Sequence, residues 1–241
     1  MFGAICITAT VGSLTTDNEQ LTIEMHQTRY LHSQEELQRR AKNIRAVLFD
    51  WDGVFNDGWK DIDGGSPFSE VGSMGVNMLR FALWLTNGVN PPAAVITGQI
   101  NPHAENFVKR ERFHAIYMGY INKPDAFGQF LRDNELKPEE VAFVFDDAID
   151  LPVAKQCGLR VLIGRPAGQL FAEHVIARGD ADIVTANSGG ENGLREATEA
   201  VIGLIGDFAD VFDQRAAFTE PYQRYLQERN ATEPRVEKGK R

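Results

Sequence analysis

The sequence predicts an α/β fold: a parallel sheet in three layers, with helices on both faces. Three observations carry this. Short apolar runs near 45–50, 93–97, 115–118, 141–146, 159–163 and 182–184 have the length and continuity of strands buried on both faces. Helix-like stretches near 74–86, 102–112, 123–134, 150–157 and 167–177 lie between them, the alternation of a parallel sheet with crossover helices. Several runs also end in aspartate, threonine or glycine, at the carboxyl edge where open α/β sheets place their ligand sites.

Composition narrows the class. The chain has 241 residues, is 43% hydrophobic and carries a formal charge of −9. It can bury a full core, and its acidity argues against general nucleic-acid binding, which needs a positive face. No segment reaches the roughly 20 apolar residues of a membrane span. The opening Met1–Leu14 is mildly apolar, but no Lys or Arg precedes Arg29, unlike a secretory signal. The two cysteines, Cys6 and Cys157, make no disulfide framework, so a reducing cytoplasm is the expected compartment. Cys157, before Gly158, reads as a core thiol. In that compartment Asn230-Ala231-Thr232 is not expected to be glycosylated.

Residues 1–43 read as an N-terminal extension. Ser33-Gln34-Glu35-Glu36 is a capping box that should start a short helix running to Lys42. The alternating domain spans 44–212. Residues 54–72 interrupt it with a turn cluster, Gly64-Gly65-Ser66-Pro67, between mixed flanks, which predicts a small β-hairpin flap over the strand ends. Thr86-Asn87-Gly88, with Pro91-Pro92 beyond, is a helix stop. A long helix is expected from Gly193 to about Gln214, and a further one at Thr219-Glu220-Pro221, where proline suits a first turn. Residues 213–241 are then a C-terminal helical extension whose charged end, Arg235–Arg241, is expected to be disordered. Right-handed crossovers bring the ends of the first, second and fourth strands together.

The chemistry concentrates there. The first strand, Ala46-Val47-Leu48-Phe49, runs into Asp50-Trp51-Asp52-Gly53. Two carboxylates this close repel unless a cation or proton lies between them, and a hard cation such as Mg²⁺ suits oxygen ligands beside phosphate. Val95-Ile96-Thr97-Gly98 ends the next run with a hydroxyl and a glycine that lets backbone amides approach an anion. Asn122-Lys123-Pro124 sets a lysine at a helix start. Phe143-Val144-Phe145-Asp146-Asp147-Ala148-Ile149-Asp150 adds further carboxylates.

The order Asp50-x-Asp52, Thr97, Lys123, Asp146-Asp147-x-x-Asp150 resembles the haloacid dehalogenase superfamily of aspartate-nucleophile phosphatases. The fuller stretch from Phe49 to Gly58, with Gly189-Gly190-Glu191-Asn192-Gly193-Leu194-Arg195-Glu196 downstream, is similar to the branch that includes 3-deoxy-manno-octulosonate 8-phosphate phosphatase. The resemblance covers roughly residues 44–206. It implies a Rossmann-like fold with no large cap domain and a homo-oligomer, a tetramer by the same resemblance. It also implies Mg²⁺-dependent hydrolysis of a small phosphorylated sugar acid. By the same resemblance Asp50 is the nucleophile and Asp52 the general acid and base. Thr97, Gly98 and Lys123 hold the phosphoryl group. Asp50, Asp146, Asp150 and the backbone carbonyl of Asp52 hold the metal, Asp147 being the alternative to Asp150. Gly190 and Arg195 lie at the substrate end, Arg195 as partner for a carboxylate.

Each assignment has a plainer alternative. Asp150 can be a helix cap, Lys123 a surface lysine, and Arg195 half of a surface pair with a glutamate. Lys109-Arg110-Glu111-Arg112 reads as a solvated helix face, and His103, His114 and His174 lack metal-ligand spacing. Four departures from the family pattern stand out: Phe145 and Asn192 in place of glycine, Gln99 in place of arginine, and Gly72-Ser73 where an Asp-Gly pair is usual. They leave the chemistry better supported than the substrate. They also leave room for a regulatory or scaffold protein on this fold. A phospho-accepting receiver domain is disfavoured, because it places its acidic residues in a different order.

Overall fold

The computed structural model describes residues 27–60 and 65–239. Among the described residues eight strands form one sheet: β1 (Arg29–Tyr30), β2 (Ala46–Phe49), β3 (Ala93–Thr97), β4 (Ala115–Met118), β5 (Val141–Phe145), β6 (Leu159–Leu162), β7 (Ile183–Val184) and β8 (Arg235–Lys238). Among the described residues nine helices accompany them: α1 (Gln34–Ala41), α2 (Glu70–Asn87), α3 (Pro102–Arg110), α4 (Lys123–Asp133), α5 (Leu151–Ala154), α6 (Gln169–Ala177), α7 (Gly193–Ile205), α8 (Phe208–Ala216) and α9 (Glu220–Asn230). The strand order is β1-β7-β6-β5-β2-β3-β4-β8, and every pair is parallel except β1 with β7. From β2 the chain winds outward through β3 and β4. It then returns to the other side of β2 with β5. The reversal opens a crevice at the carboxyl ends of β2 and β5, where such sheets bind ligands.

Two apolar layers hold the sheet. Successive strand residues face opposite sides, so Val47 and Phe49 join the layer under α1, α2 and α7, while Ala46 and Leu48 join the layer under α4, α5 and α6. Burying an apolar side chain of this size contributes about 1.5–3 kcal/mol. Phe145 belongs to the second layer, stacked on Phe143 at 5.6 Å between ring centres and fully buried. It packs inward and does not crowd the neighbouring aspartate. Gly75 brings α2 against α7: a β-carbon there would lie 2.4 Å from the Thr198 hydroxyl. Gly72 does the same against Leu194, at 3.3 Å. The glycines of this stretch thus serve helix packing, and Ser73 faces Glu111 and Arg110.

The predicted strands and most helices are present. Ser33 caps α1 through the Glu36 amide, but the Glu36 side chain turns to Arg40 at 2.6 Å. Gly88 closes α2 in the left-handed conformation, at φ +73°. Cys157 is buried, and burial pushes its thiol up. Cys6 and the apolar opening run lie outside the described residues. No helix among the described residues is long and apolar enough to cross a membrane.

Three expectations need correction. The flap is not a paired hairpin among the described residues: 55–60 and 65–69 hold no strand. Side chains tie the segment instead. The Trp51 indole donates to the Ser66 carbonyl at 3.1 Å, the Asn56 amide to the Pro67 carbonyl at 3.0 Å, and the Ser66 hydroxyl to the Trp59 carbonyl. The long helix breaks at Gly206-Asp207, where Asp207 caps α8 through the Asp210 amide. The boundary expected at 212 therefore falls inside α8. The end expected to be disordered supplies β8, paired with β4 from Ala115–Arg235 to Met118–Lys238. α9 seats on α2 of its own domain: the Tyr222 hydroxyl donates to the Asn77 side chain at 3.0 Å and the Trp84 indole to Glu228 at 2.8 Å.

Candidate active site

Each strand at the crevice ends in one polar side chain, because the buried run stops where the sheet meets solvent. Asp50 follows β2, Thr97 closes β3, Asp146 follows β5, and Lys123 opens α4 after β4. Asp50, Thr97, Lys123, Asp146 and Asp150 are all buried. One oxygen from each of Asp50, Asp146 and Asp150 lies within 4.8 Å of the others. Lys123 Nζ bridges two of them, 2.5 Å from Asp50 and 2.6 Å from Asp150. Lys123 is thus not a surface lysine.

Asp150 rather than Asp147 joins this group. Asp147 caps the short 3₁₀ turn at 148–150 by accepting from the Ala148 amide at 2.7 Å, and its side chain is 62% exposed. Asp150 both accepts from the Asp147 amide, at 3.3 Å, and meets Lys123, so cap and cluster member coincide. The Asp52 side chain is not part of this group and pairs with Lys60 on the flap segment.

Burial and like charge make the cluster costly. Burial, then the Asp50 charge, pushes Asp146 up to about 9 despite Arg165, and pushes Asp150 up to about 7 against the pull of Lys123. Burial alone would lower the Lys123 ammonium. Asp50 and Asp150 outweigh it and hold the group above the usual lysine range. Asp146 Oδ1 is buried without a hydrogen-bond partner. Three converging carboxylates with an orphaned oxygen fit a small, hard divalent cation.

Gly53 shapes the approach. It stands at φ +89°, and a β-carbon there would lie 2.1 Å from Asp146 Oδ2. Gly53→Ala should cost about 1–2 kcal/mol from backbone conformation alone and push the Asp146 carboxylate out of the cluster. Thermal melts should show lower stability and a lost response to divalent cation; an unchanged response would mean that Asp146 is not a ligand.

The remaining predicted residues divide. Thr97 Oγ1 accepts weakly from the Gln99 amide at 3.4 Å, and a β-carbon on Gly98 would reach only the Tyr120 carbonyl at 3.9 Å, so this turn stays open. The Gln99 side chain is exposed. Gly190 lines a cleft of about 370 Å³ with Asn56, Trp59, Phe68, Ser69 and Gly189, and its amide donates to Asp57 at 3.0 Å. Arg195 is not brought to the cluster. It pairs with Glu199 one turn along α7 and lies over the Phe212 ring at 5.5 Å, the surface-pair alternative.

Two further residues reach the site without belonging to any of the motifs above. Arg165, just after β6, donates from Nη2 to the Asp146 carbonyl at 3.0 Å and to its carboxylate. Lys60 meets Asp52. Gly164-Arg165-Pro166 at a strand's carboxyl end was a readable signal for the first; nothing local marked the second.

No family model matches the chain. The 3-deoxy-D-manno-octulosonate 8-phosphate phosphatase KdsC of Escherichia coli is 32% identical over 166 residues, 68% of this chain and 81% of that protein. The crystal structure of the phosphatase of the same name from Yersinia pestis superposes with a TM-score of 0.57 at 27% identity, covering 70% of this chain and 86% of that one. The Moraxella catarrhalis phosphatase of that name, in complex with magnesium, phosphate and KDO, shares the fold, with a TM-score of 0.61 at 20% identity over 77% of this chain and 99% of that one. By the likeness to the E. coli protein, joined to the strand-end residues just described, the chain belongs to the haloacid dehalogenase superfamily, in its KdsC-like phosphatase branch.

Proposed function

We propose that the chain is a Mg²⁺-dependent phosphomonoesterase that hydrolyses a small phosphorylated 2-keto sugar acid, such as 3-deoxy-manno-octulosonate 8-phosphate, through an aspartyl-phosphate on Asp50. The observation that carries it is the buried Asp50–Asp146–Asp150 cluster bridged by Lys123 at the carboxyl edge of the sheet. Asp50, Asp146 and Asp150, with the Asp52 backbone carbonyl, would hold Mg²⁺, which when bound neutralises charge developing on the phosphoryl oxygens.

The chain's own residues do the rest. Asp50 attacks phosphorus; the ester oxygen leaves and takes a proton from Asp52. Asp52 then removes a proton from the water that opens the aspartyl-phosphate and frees phosphate. Positioned proton transfer of this kind is worth about 10²–10⁴-fold. Splitting one displacement into two suits a carboxylate nucleophile. Thr97 donates its hydroxyl to the phosphoryl group, and Lys123 adds a fixed positive charge while holding Asp50 in line. Lys60, on the flap segment, holds Asp52 beside the ester. The cleft lined by Trp59, Phe68 and Gly190 gives the alcohol part of the ester a place next to this machinery.

The test is phosphate release from a panel of sugar and sugar-acid phosphates, with Mg²⁺ and with chelator. Chelator-sensitive release, fastest on a 2-keto sugar acid, is expected; no release from any ester by folded protein would overturn the reading. Mg²⁺ should also raise thermal stability. A hundredfold excess over Kd is worth about 2.7 kcal/mol, and the increment should be greater at pH 8 than at pH 5, where protons compete for Asp146 and Asp150. Melts at the two pH values measure this.

A further inference from the structure

We infer that Arg165 recognises the substrate's second anionic group, the carboxylate of the sugar acid, in a cleft beside the proposed metal-binding aspartates. This deepens the proposed function and rests on it. Arg165 lies one strand from Asp146, and its side chain is one-third exposed. It lines a cleft of about 400 Å³ with Arg29, Thr185, Asn187, Glu173 and Glu191.

Two observations point to this role. First, of its guanidinium nitrogens only Nη2 is engaged, by the Asp146 carbonyl and carboxylate with the Asp147 carboxylate 3.9 Å away; Nε and Nη1 make no hydrogen bond among the described residues. A guanidinium anchored through one nitrogen keeps donors free for a bidentate grip on a carboxylate. Second, other cations near the site are committed or withdrawn. Lys123 is sealed between Asp50 and Asp150, Arg195 is held by Glu199 and Phe212, and position 99 is a neutral glutamine. Anchoring on Asp146 would register the carboxylate grip against the phosphoryl site.

The experiment compares wild type, Arg165→Gln and Arg165→Lys on two esters of similar size: a phosphorylated 2-keto sugar acid and an aldose phosphate without the carboxylate. Binding of the unphosphorylated sugar acid is measured by calorimetry alongside. Arg165→Gln should raise KM for the sugar-acid phosphate on the order of 10- to 100-fold, the weight of one charge-assisted hydrogen-bonded pair. The rise for the aldose phosphate should be much smaller. Binding of the free sugar acid should be lost in Arg165→Gln and partly kept in Arg165→Lys. An equal loss on both esters, or a fall in kcat with KM unchanged, would overturn the inference and leave Arg165 as a prop for Asp146. If wild type hydrolyses neither ester yet binds the sugar acid through Arg165, the recognition stands and the phosphatase reading fails. If wild type hydrolyses both and Arg165→Gln binds the sugar acid normally, the reverse holds.

Discussion

Asp50→Asn should abolish phosphate release while leaving the fold intact. The loss should reach roughly 10⁴-fold or more, as when a covalent nucleophile is removed. Asparagine keeps the shape of the side chain, and the backbone amide of residue 50 still bonds to the Val144 carbonyl at 3.0 Å. The substitution removes one charge from a trio within 4.8 Å, which relieves repulsion at Asp146 and Asp150, and it costs Lys123 one of two partners. These effects oppose, so the metal-free thermal midpoint should stay within a few degrees of wild type, about 2–4 °C per kcal/mol for a chain of this size. Turnover above a tenth of wild type would place the nucleophile elsewhere. A collapsed midpoint would make the activity loss uninformative, and Asp50→Glu, which keeps the charge but moves the oxygen, would then decide.

Lys123→Met should produce the largest loss of stability, and the loss should depend on pH. The ammonium is fully buried between two carboxylates. Removing one partner of a buried ionic group strands the others, at about 3–5 kcal/mol. The folded values of Asp150, about 7, and Asp146, about 9, lie above the ordinary carboxylate value near 3.8. An acid raised in this way leaves stability untouched below its unfolded value and lowers it as pH climbs to its folded value. Without Lys123 the Asp150 value rises further. The deficit of Lys123→Met should therefore be small at acid pH and grow as pH climbs past about 7, the folded value of Asp150 in wild type. Denaturant unfolding at pH 5 and pH 8 measures it. A deficit equal at both would mean that lost packing of the lysine stem, not stranded charge, is responsible.

The two variants probe different parts of one device. Asp50→Asn tests the proposed nucleophile; Lys123→Met tests how three carboxylates share a buried edge. Mg²⁺ should rescue Lys123→Met in part, because a cation can neutralise the same oxygens, but it should not restore turnover to Asp50→Asn.

Much of this was written locally. β2, β3 and β5 are runs of buried residues whose identity as strands needs no distant partner, and Asp50, Thr97 and Asp146 stand at their ends by sequence position alone. Once the strands are parallel and the crossovers right-handed, those ends meet. Lys123 follows from the same logic at the start of α4. The family resemblance supplied the roles, and the choice between Asp147 and Asp150 was left open by the spacing.

What tertiary structure decided has a common physical cause: it depends on where long side chains reach and which edges are free. The Arg165 guanidinium meets Asp146 because β6 lies beside β5, a neighbour relation that no local pattern encodes. Lys60 meets Asp52 through the course of the loop. Arg235–Lys238 looks like a solvated tail in isolation. It becomes β8 because β4 would otherwise present unpaired backbone groups at the sheet edge. The sequence by itself determined the six strands β2 to β7 and the aspartates that follow β2 and β5, since burial and strand termination are local properties. Which cations face those aspartates, and how the C-terminal segment closes the domain, only the packed molecule could decide, because both are set by contacts between residues far apart in the chain.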